Sequence, residues 1–509
     1  MKYKYLLLLC LFCFEMQAQI ADLNKLSKGK FYSSDAIKDG DNNIKGYFLL
    51  FELDRVAKET YELEYIVLDE NLNKVTSGEI TEMKYDSWLV GAKKISVHVS
   101  LYGDKLLLRF ADDFSTLELF KRYRILDISK NELSTPFIFN KGKMVVDPVF
   151  NRKVSDYERN ESQEIYAYKD IGLIVNSTFI DKKENSEKQY MARFDNDMKE
   201  QWRWVYEDFA VKSKKRRSLK YLNSDSDVLV MFNRYSKDNR EQTYLPEVSI
   251  LFIDAKKGEL TEEFTFPDLE EFSYRVADCH IADNKVYVMG NYAEGNKYAS
   301  VHDDKNIGLY KMVFDKTTGK LLDSKYFKWE NLINKLDIKK NGYVKKEGNL
   351  YTHEMLVKSD GSIIVVAEAF LNHPVTTNNM YFFEFDKEFA IKDVFEVSKF
   401  RNKFSGTSAY SEDIKKYGAF DFIDYQNLGD DEYLFYLNDN EKNSRNRSKS
   451  TLYGVVSYSD GAFKRQTIDL KTEHSTIKAF NAKKGYLLLV EDFDDKNKSS
   501  EFRLEKINY

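Results

Sequence analysis

An all-β fold, a single β-propeller of eight four-stranded blades closed by pairing of its N- and C-terminal strands, is predicted by two recurring turn signals in this chain of 509 residues. Eight times a short polar turn leads into large apolar residues. The first four cases are Lys45-Gly46 into Phe48-Leu49-Leu50, Gly103-Asp104-Lys105 into Leu106-Leu107-Leu108, Asp170-Ile171-Gly172 into Leu173-Ile174-Val175, and Asp225-Ser226-Asp227 into Val228-Leu229-Val230. The same signal returns at Asp283, Asp360, Gly429 and Lys483, and a second turn follows at Asp69, Asp127, Asp195, Asp254, Asp315, Asp386 and Ser459. Gly, Asp, Asn and Ser tolerate positive φ or bond their own backbone, so their return at the same two places has a mechanical cause. The repeat averages roughly 60 residues, and seven blades is the alternative if two units share one sheet.

Residues 1–18 read as a secretory signal peptide, with Met1-Lys2-Tyr3-Lys4-Tyr5 as the positive region, Leu6 to Phe14 as the apolar core and Ala18 before the cleavage point. The propeller domain then occupies 19–509. Neither Cys10 nor Cys13 follows the small residue that a lipoprotein signal requires, and both lie in the leader. Cys279 is left as the single cysteine of the mature chain, so no intramolecular disulfide forms. No later stretch approaches the roughly 20 apolar residues of a membrane-crossing helix, and a soluble mature chain is expected.

Residues 30–38 supply the first strand of the first unit, and Ile20 to Leu26 the outer strand that the last unit lacks. In the second unit Ile95, Val97 and Val99 alternate with polar neighbours, followed by strands at Leu106 to Phe110, Phe120 to Leu126 and Leu133 to Phe139. Aromatic residues crowd the fourth strands: Trp202, Trp204 and Tyr206, then Phe264 and Phe266, then Tyr326 and Phe327 beside Trp329. They are expected to pack blade against blade. Two insertions interrupt the pattern, Glu330 to Lys340 with apolar residues at nearly helical spacing and Tyr410 to Tyr417 as one helical turn.

The net charge of −5, from 78 Lys and Arg against 83 Asp and Glu, is small and mixed in sign, which argues against nucleic acid or a membrane surface as partner. The basic run Lys212 to Arg217 reads as a solvated loop between blades. Aromatic residues at 15% with only five prolines suit half-buried sheets.

Candidate functional residues follow from blade geometry. First-to-second and third-to-fourth connections share one propeller face and are tight turns. The second-to-third and blade-to-blade connections share the other and are long, charged and unlike one another, which is where a rigid scaffold carries its binding residues. Of six histidines, His98, His280, His353 and His474 fall on innermost strands, and His302 and His373 in the long loops. Asp278, Glu354, Asp421 and Asp424 are placed to join them. Imidazole and carboxylate around a channel can hold a metal, but no pair has the i, i+4 spacing of a helical metal site, and packing between blades is the competing reading. Trp88, Tyr274 and Trp329 complete the candidate binding set with His98, His280, His353 and Glu354. No metal and no cofactor is assigned.

A nucleophile elbow, a His-Glu-x-x-His zinc motif, a phosphate loop and a dinucleotide fingerprint are all missing from the sequence. Paired carboxylates for glycoside hydrolysis stay open, because only their separation in space is diagnostic.

Asp315-Lys316-Thr317-Thr318-Gly319-Lys320 resembles the Asp-x-x-Thr-Gly turn of quinoprotein-type eight-bladed propellers, and Asp254-Ala255-Lys256-Lys257-Gly258 is a looser copy. The tryptophan which that family places after the glycine is absent from both, so the resemblance implies the fold and not a quinone cofactor. In layout, with a leader ending Gln17-Ala18-Gln19, the chain is similar to uncharacterised exported β-propeller proteins of Bacteroidota. That resemblance implies a periplasmic or extracellular protein.

Three functions compete. A monomeric, non-enzymatic scaffold that presents variable loops to a protein or glycan partner in the cell envelope is the leading expectation. A carbohydrate-active hydrolase or lyase using channel carboxylates is the alternative, and a metal-dependent enzyme the third.

Overall fold

The computed structural model describes residues 20–39, 42–84, 94–113, 118–140, 143–146, 161–168, 172–181, 183–210, 215–237, 247–295, 306–372, 374–404, 414–415, 418–439, 452–495 and 500–507. Eight antiparallel sheets follow one another along the chain, each with a four-stranded meander as its body. Blade 1 consists of Lys30–Lys38, Ile44–Ala57, Thr60–Asp69 and Lys74–Met83. The innermost strands of blades 2 to 8 are Lys94–Tyr102, Glu161–Tyr168, Lys215–Ser224, Phe272–Ala282, Gly348–Val357, Phe422–Gly429 and Ser475–Asn481.

Packing closes the ring. A separate hydrophobic cluster fills each of the eight spaces between successive blades, including the space between the last blade and the first, where Leu49, Phe51 and Leu68 meet Leu488, Val490, Phe502 and Leu504. The middle strands are therefore covered on both faces, which is why they read as unbroken apolar runs such as Ile363-Ile364-Val365-Val366. The aromatic outer strands pack as expected: Phe264 and Phe266 against Phe314 and Tyr310 of blade 5, and Phe327 against Phe385 of blade 6.

The last blade takes its outer strand from the other end of the chain, Ile20–Asp22 pairing with Glu501–Lys506 in the register Ile20 to Arg503. The closing strand is shorter than expected, because Leu23–Leu26 forms one helical turn instead of extending it. The Glu330 to Lys340 insertion is likewise not a regular helix. It opens with a 3₁₀ turn, Trp329–Leu332, and continues as turns, with Trp329 and Leu332 buried against blade 6. Of the Tyr410 to Tyr417 segment, only Ile414 and Lys415 lie among the described residues, and both are helical. In blade 2 the fourth strand splits into Glu132–Leu133 and Phe137–Asn140, because Pro136 supplies no N–H to the ladder.

Asp recurs at the second turn because its carboxylate organises that turn. Asp69 Oδ1 accepts from the N–H of Asn71 and Asn73 at 2.8 Å each, Asp195 Oδ1 from Asp197 and Lys199 at 3.0 and 2.9 Å, and Asp315 Oδ1 from Thr318 at 2.8 Å. At the first turn positive φ is the requirement, met by Asp283 at 54° and Gly172 at 91°.

Candidate functional site

The two propeller faces differ in the length of their connections. First-to-second and third-to-fourth connections span two to five residues throughout. On the opposite face, 439–451 separates two strands by 13 residues, 295–305 by 11 and 147–160 by 14, whereas blade 1 joins Ala57 to Thr60 through only two.

The channel wall has its own repeated feature. The inner strands of blades 4, 5, 6 and 7 each carry a β-bulge at a corresponding place, which inserts Leu222, Ala277, His353 or Ile423 ahead of Asn223, Asp278, Glu354 or Asp424. A bulge re-aims the side chain beside it. Asn223 donates its amide to the carbonyl of Cys279 in blade 5 at 2.7 Å, and Asp278 Oδ2 accepts from the N–H of Met355 in blade 6 at 3.3 Å. Asp35 does the same for blade 2, accepting from Val99 N–H at 2.7 Å. Each side chain also accepts from the N–H of the residue after it, at 2.7–3.0 Å. These residues tie neighbouring inner strands together where their backbone edges would otherwise face the channel. Asp424 is engaged differently, by Lys38 Nζ at 2.7 Å and Asn42 Nδ2 at 2.9 Å, both reaching across from blade 1.

Glu354 breaks the series, because its side chain makes no hydrogen bond or ion pair with any described residue. Burial, with the Asp278 and Asp424 carboxylates adding to it, pushes its carboxyl up to about 8 against the opposing pull of Lys415 and His280. Burial acts on Asp278 in the same sense but is outweighed by His280 and two backbone N–H groups, so Asp278 is held below the usual carboxylate range. His280 Nε2 pairs with Asp278 Oδ2 at 3.2 Å, and Asp278 overcomes burial to raise the imidazole above its ordinary value. Near neutral pH the wall thus holds a protonated Glu354 beside an ionised Asp278.

The sequence-derived candidates separate accordingly. Asp278, His280, Glu354 and Asp424 come together as one electrostatic group in the wall of blades 5 to 7. His98 lies on the inner strand of blade 2, exposed and electrostatically coupled to Asp35. His353, the inserted bulge residue, turns into the core among Tyr351, Phe420 and Phe422, its Nε2 3.2 Å from Glu368 Oε2. Burial outweighs that carboxylate and lowers its pKa. Glu368 in turn is brought down to about 2, burial being overcome by Lys399, His353 and the Asp421 N–H. Asp421 accepts from Thr377 Oγ1 and Asn402 Nδ2 at 3.0 Å each and from Lys399 at 2.5 Å. This fully buried network pins the connection between blades 6 and 7, so His353 and Asp421 belong to packing.

Tyr274 and Trp329 are buried between blades, in the 4–5 and 5–6 interfaces respectively. His474 corrects its expected place: it precedes the inner strand of blade 8 by one residue and is 91% exposed. Trp88, His302 and His373 lie outside the described residues. The basic run also differs from expectation at its end, where Arg217 is buried in blade 4, donating to Asn233 Oδ1 at 2.8 Å and pairing with Glu207 at 3.2 Å. Asp35, Lys38 and Asn223 escaped the sequence reading. Their only signal is an Asp or Asn a few residues ahead of the first turn in several units.

Among the described residues no three His, Cys, Asp or Glu side chains converge as metal ligands, and no helix is long and apolar enough to cross a membrane. Among the described residues the one cysteine, Cys279, has a free and buried thiol.

Solved structures are similar to this chain at low identity. The β-propeller domain of the Trilobed protease from Pyrococcus furiosus matches at 10% identity and TM-score 0.36, covering 82% of this chain and 97% of that one. A prolyl endopeptidase matches at 8% and 0.38, covering 92% and 54%, and the Bombyx mori GH32 β-fructofuranosidase BmSUC1 at 9% and 0.24, covering 94% and 89%. No curated protein matches. A family model matches residues 1–375 and 372–508, nearly the whole chain, and the protein belongs to that family, DUF6770, described as a family of unknown function.

Proposed function

We propose that this protein is an exported, non-enzymatic binding scaffold, carrying on one propeller face the variable connections that meet a protein or glycan partner in the cell envelope. The inequality of the two faces supports the reading: turns of two to five residues on one side, connections of up to 18 on the other. A ring whose interfaces are all filled by apolar side chains gives those connections a rigid base, which lowers the ordering cost of binding. The leader-like residues 1–18 support export, to the periplasm or beyond.

Cross-linking with mass spectrometry in intact envelopes tests this. Cross-links to a reproducible partner should concentrate on 147–160, 238–246, 295–305 and 439–451, and replacing these connections by short Gly-Ser links should abolish them while the ring stays folded. Cross-links spread evenly over both faces would sink the proposal.

A second reading, a carbohydrate-active hydrolase, draws on Glu354 and Asp278, which influence one another electrostatically, since a protonated and an ionised carboxyl in one wall suit general acid and base roles. Release of reducing ends from envelope polysaccharides by the native protein, lost in Glu354→Gln, would establish it. The scaffold reading expects none.

A further inference from the structure

The last blade takes its outer strand from the first described residues of the chain. Ile20, Ala21 and Asp22 pair with Arg503, Phe502 and Glu501, and among the described residues no other strand covers the outer edge of Glu501–Lys506. The chain then turns through Leu23–Leu26, Leu26 packs into the interface between blades 8 and 1, and Ser27 donates to Glu64 Oε2 at 2.5 Å. A ladder of three residue pairs gains little, and a chain end opens more readily than the elements behind it. Each opening offers that end to an exopeptidase, and removal of the four residues from Gln19 to Asp22 takes the whole closing strand away.

Cleavage after Ala18 makes Gln19 the first residue of the mature protein, one position ahead of the closing strand. An N-terminal glutamine differs from other residues in chemistry, because its side-chain amide lies within reach of its own α-amine in a five-membered ring.

We propose that Gln19 of the exported protein is a modification site, cyclised to pyroglutamate, and that the lactam protects the closing strand from trimming by aminopeptidases. The inference rests on the export reading and on cleavage after Ala18. In the reaction the unprotonated α-amine nitrogen attacks Cδ of the same residue. The new N–Cδ bond replaces the bond from Cδ to Nε2, and Nε2 leaves as ammonia with the proton that the amine gives up. No oxidant, reductant or second substrate is needed, and an α-amine titrates at about pH 8, so part of it is unprotonated at neutral pH. The product carries neither a primary amine nor a charge at its end. Aminopeptidases, which bind a free α-amine, then have no group to hold, and the three residue pairs with Glu501–Lys506 persist.

Mass spectrometry of the protein freshly harvested from its native envelope tests this, with Gln19→Asn and Gln19→Ala as variants that do not form the lactam. The first would need a strained four-membered ring, and the second has no side-chain amide. The native chain should begin at residue 19, weigh one ammonia less than its unmodified form, and resist stepwise N-terminal degradation until a pyroglutamyl peptidase removes the first residue. Both variants should begin with a free amine. Incubated in the folded state with a broad aminopeptidase, they should lose residues 19–22 about tenfold faster than the native chain, with amide-exchange protection in Glu501–Lys506 falling as they do. A native chain that begins at another residue overturns the cleavage reading and the inference with it. One that begins at residue 19 with an intact glutamine, or that gains the lactam only in storage, overturns the inference and leaves the cleavage reading standing. Trimming of the native chain as fast as that of both variants overturns the protective role.

Discussion

Glu354 costs the protein stability at neutral pH. Its carboxyl in the folded chain rises to about 8, whereas in the unfolded chain it titrates near 4.3, so between these values unfolding releases a proton and becomes easier. Glu354→Gln should therefore stabilise the fold at pH 7–8, on the order of 1–3 kcal/mol, with the gain vanishing below about pH 4. Urea titrations at several pH values measure this, and a Gln variant less stable at pH 7.5 would contradict the placement of Glu354. Glu82 is the opposite case. It is fully buried with Arg122 and Arg124, the second at 2.9 Å, and Asp112 lies 3.2 Å from Arg122, so blade 1 is joined to blade 2 through ion pairs out of water. Glu82→Leu removes the carboxylate that Arg122 and Arg124 share, leaving Arg122 with Asp112 alone, and should cost roughly 3–5 kcal/mol. Neither behaviour is visible in the sequence, where both residues are single acids among 83.

At the scale of the element, the turns carry the fold's local instructions. Burial of Asp69 is outweighed by the Asn73 amide and N–H and the Asn71 N–H, which hold its carboxyl below the usual range. The stability this contributes is present above the unfolded value near pH 3.9 and is lost as pH falls through the folded one. Asp69→Ala should cost about 1 kcal/mol at pH 7 and flatten part of the acid limb of the stability profile. Gly172 is stricter, since at φ 91° an added Cβ would stand 2.2 Å from the carbonyl oxygen of Phe194. Gly172→Ala should lower the melting temperature more than Asp69→Ala, and an equal or smaller loss in differential scanning calorimetry would show that the backbone can yield there. These turns were legible because one residue type does one mechanical job at one position. The interrupted fourth strand of blade 2 was less so, the apolar pattern running straight across Pro136.

The ring's closing sheet takes three residues from the other end of the chain. Ile20–Asp22 alone cover part of the outer edge of blade 8, and without them Glu501–Lys506 becomes an unpaired edge beside the interface with blade 1. Deleting 20–22 should selectively reduce amide-exchange protection in Ser475–Asn481, Tyr486–Phe493 and Glu501–Lys506 while blades 3 to 6 stay protected. Uniform loss across all blades would indicate that the ring unfolds as one cooperative unit.

Strand number, turn positions and closure by the chain ends were all determined by the sequence itself, because alternation, turn residues and apolar runs are local properties that each unit repeats. The channel-wall group came only with the tertiary structure. Asp278, Glu354 and Asp424 lie about 70 residues apart in the chain and meet because equivalent bulges in successive blades bring them to one wall. His353 and Glu354, adjacent in sequence, part company for the same reason: an extra residue in the strand sends one into the aromatic core and leaves the other in the channel wall.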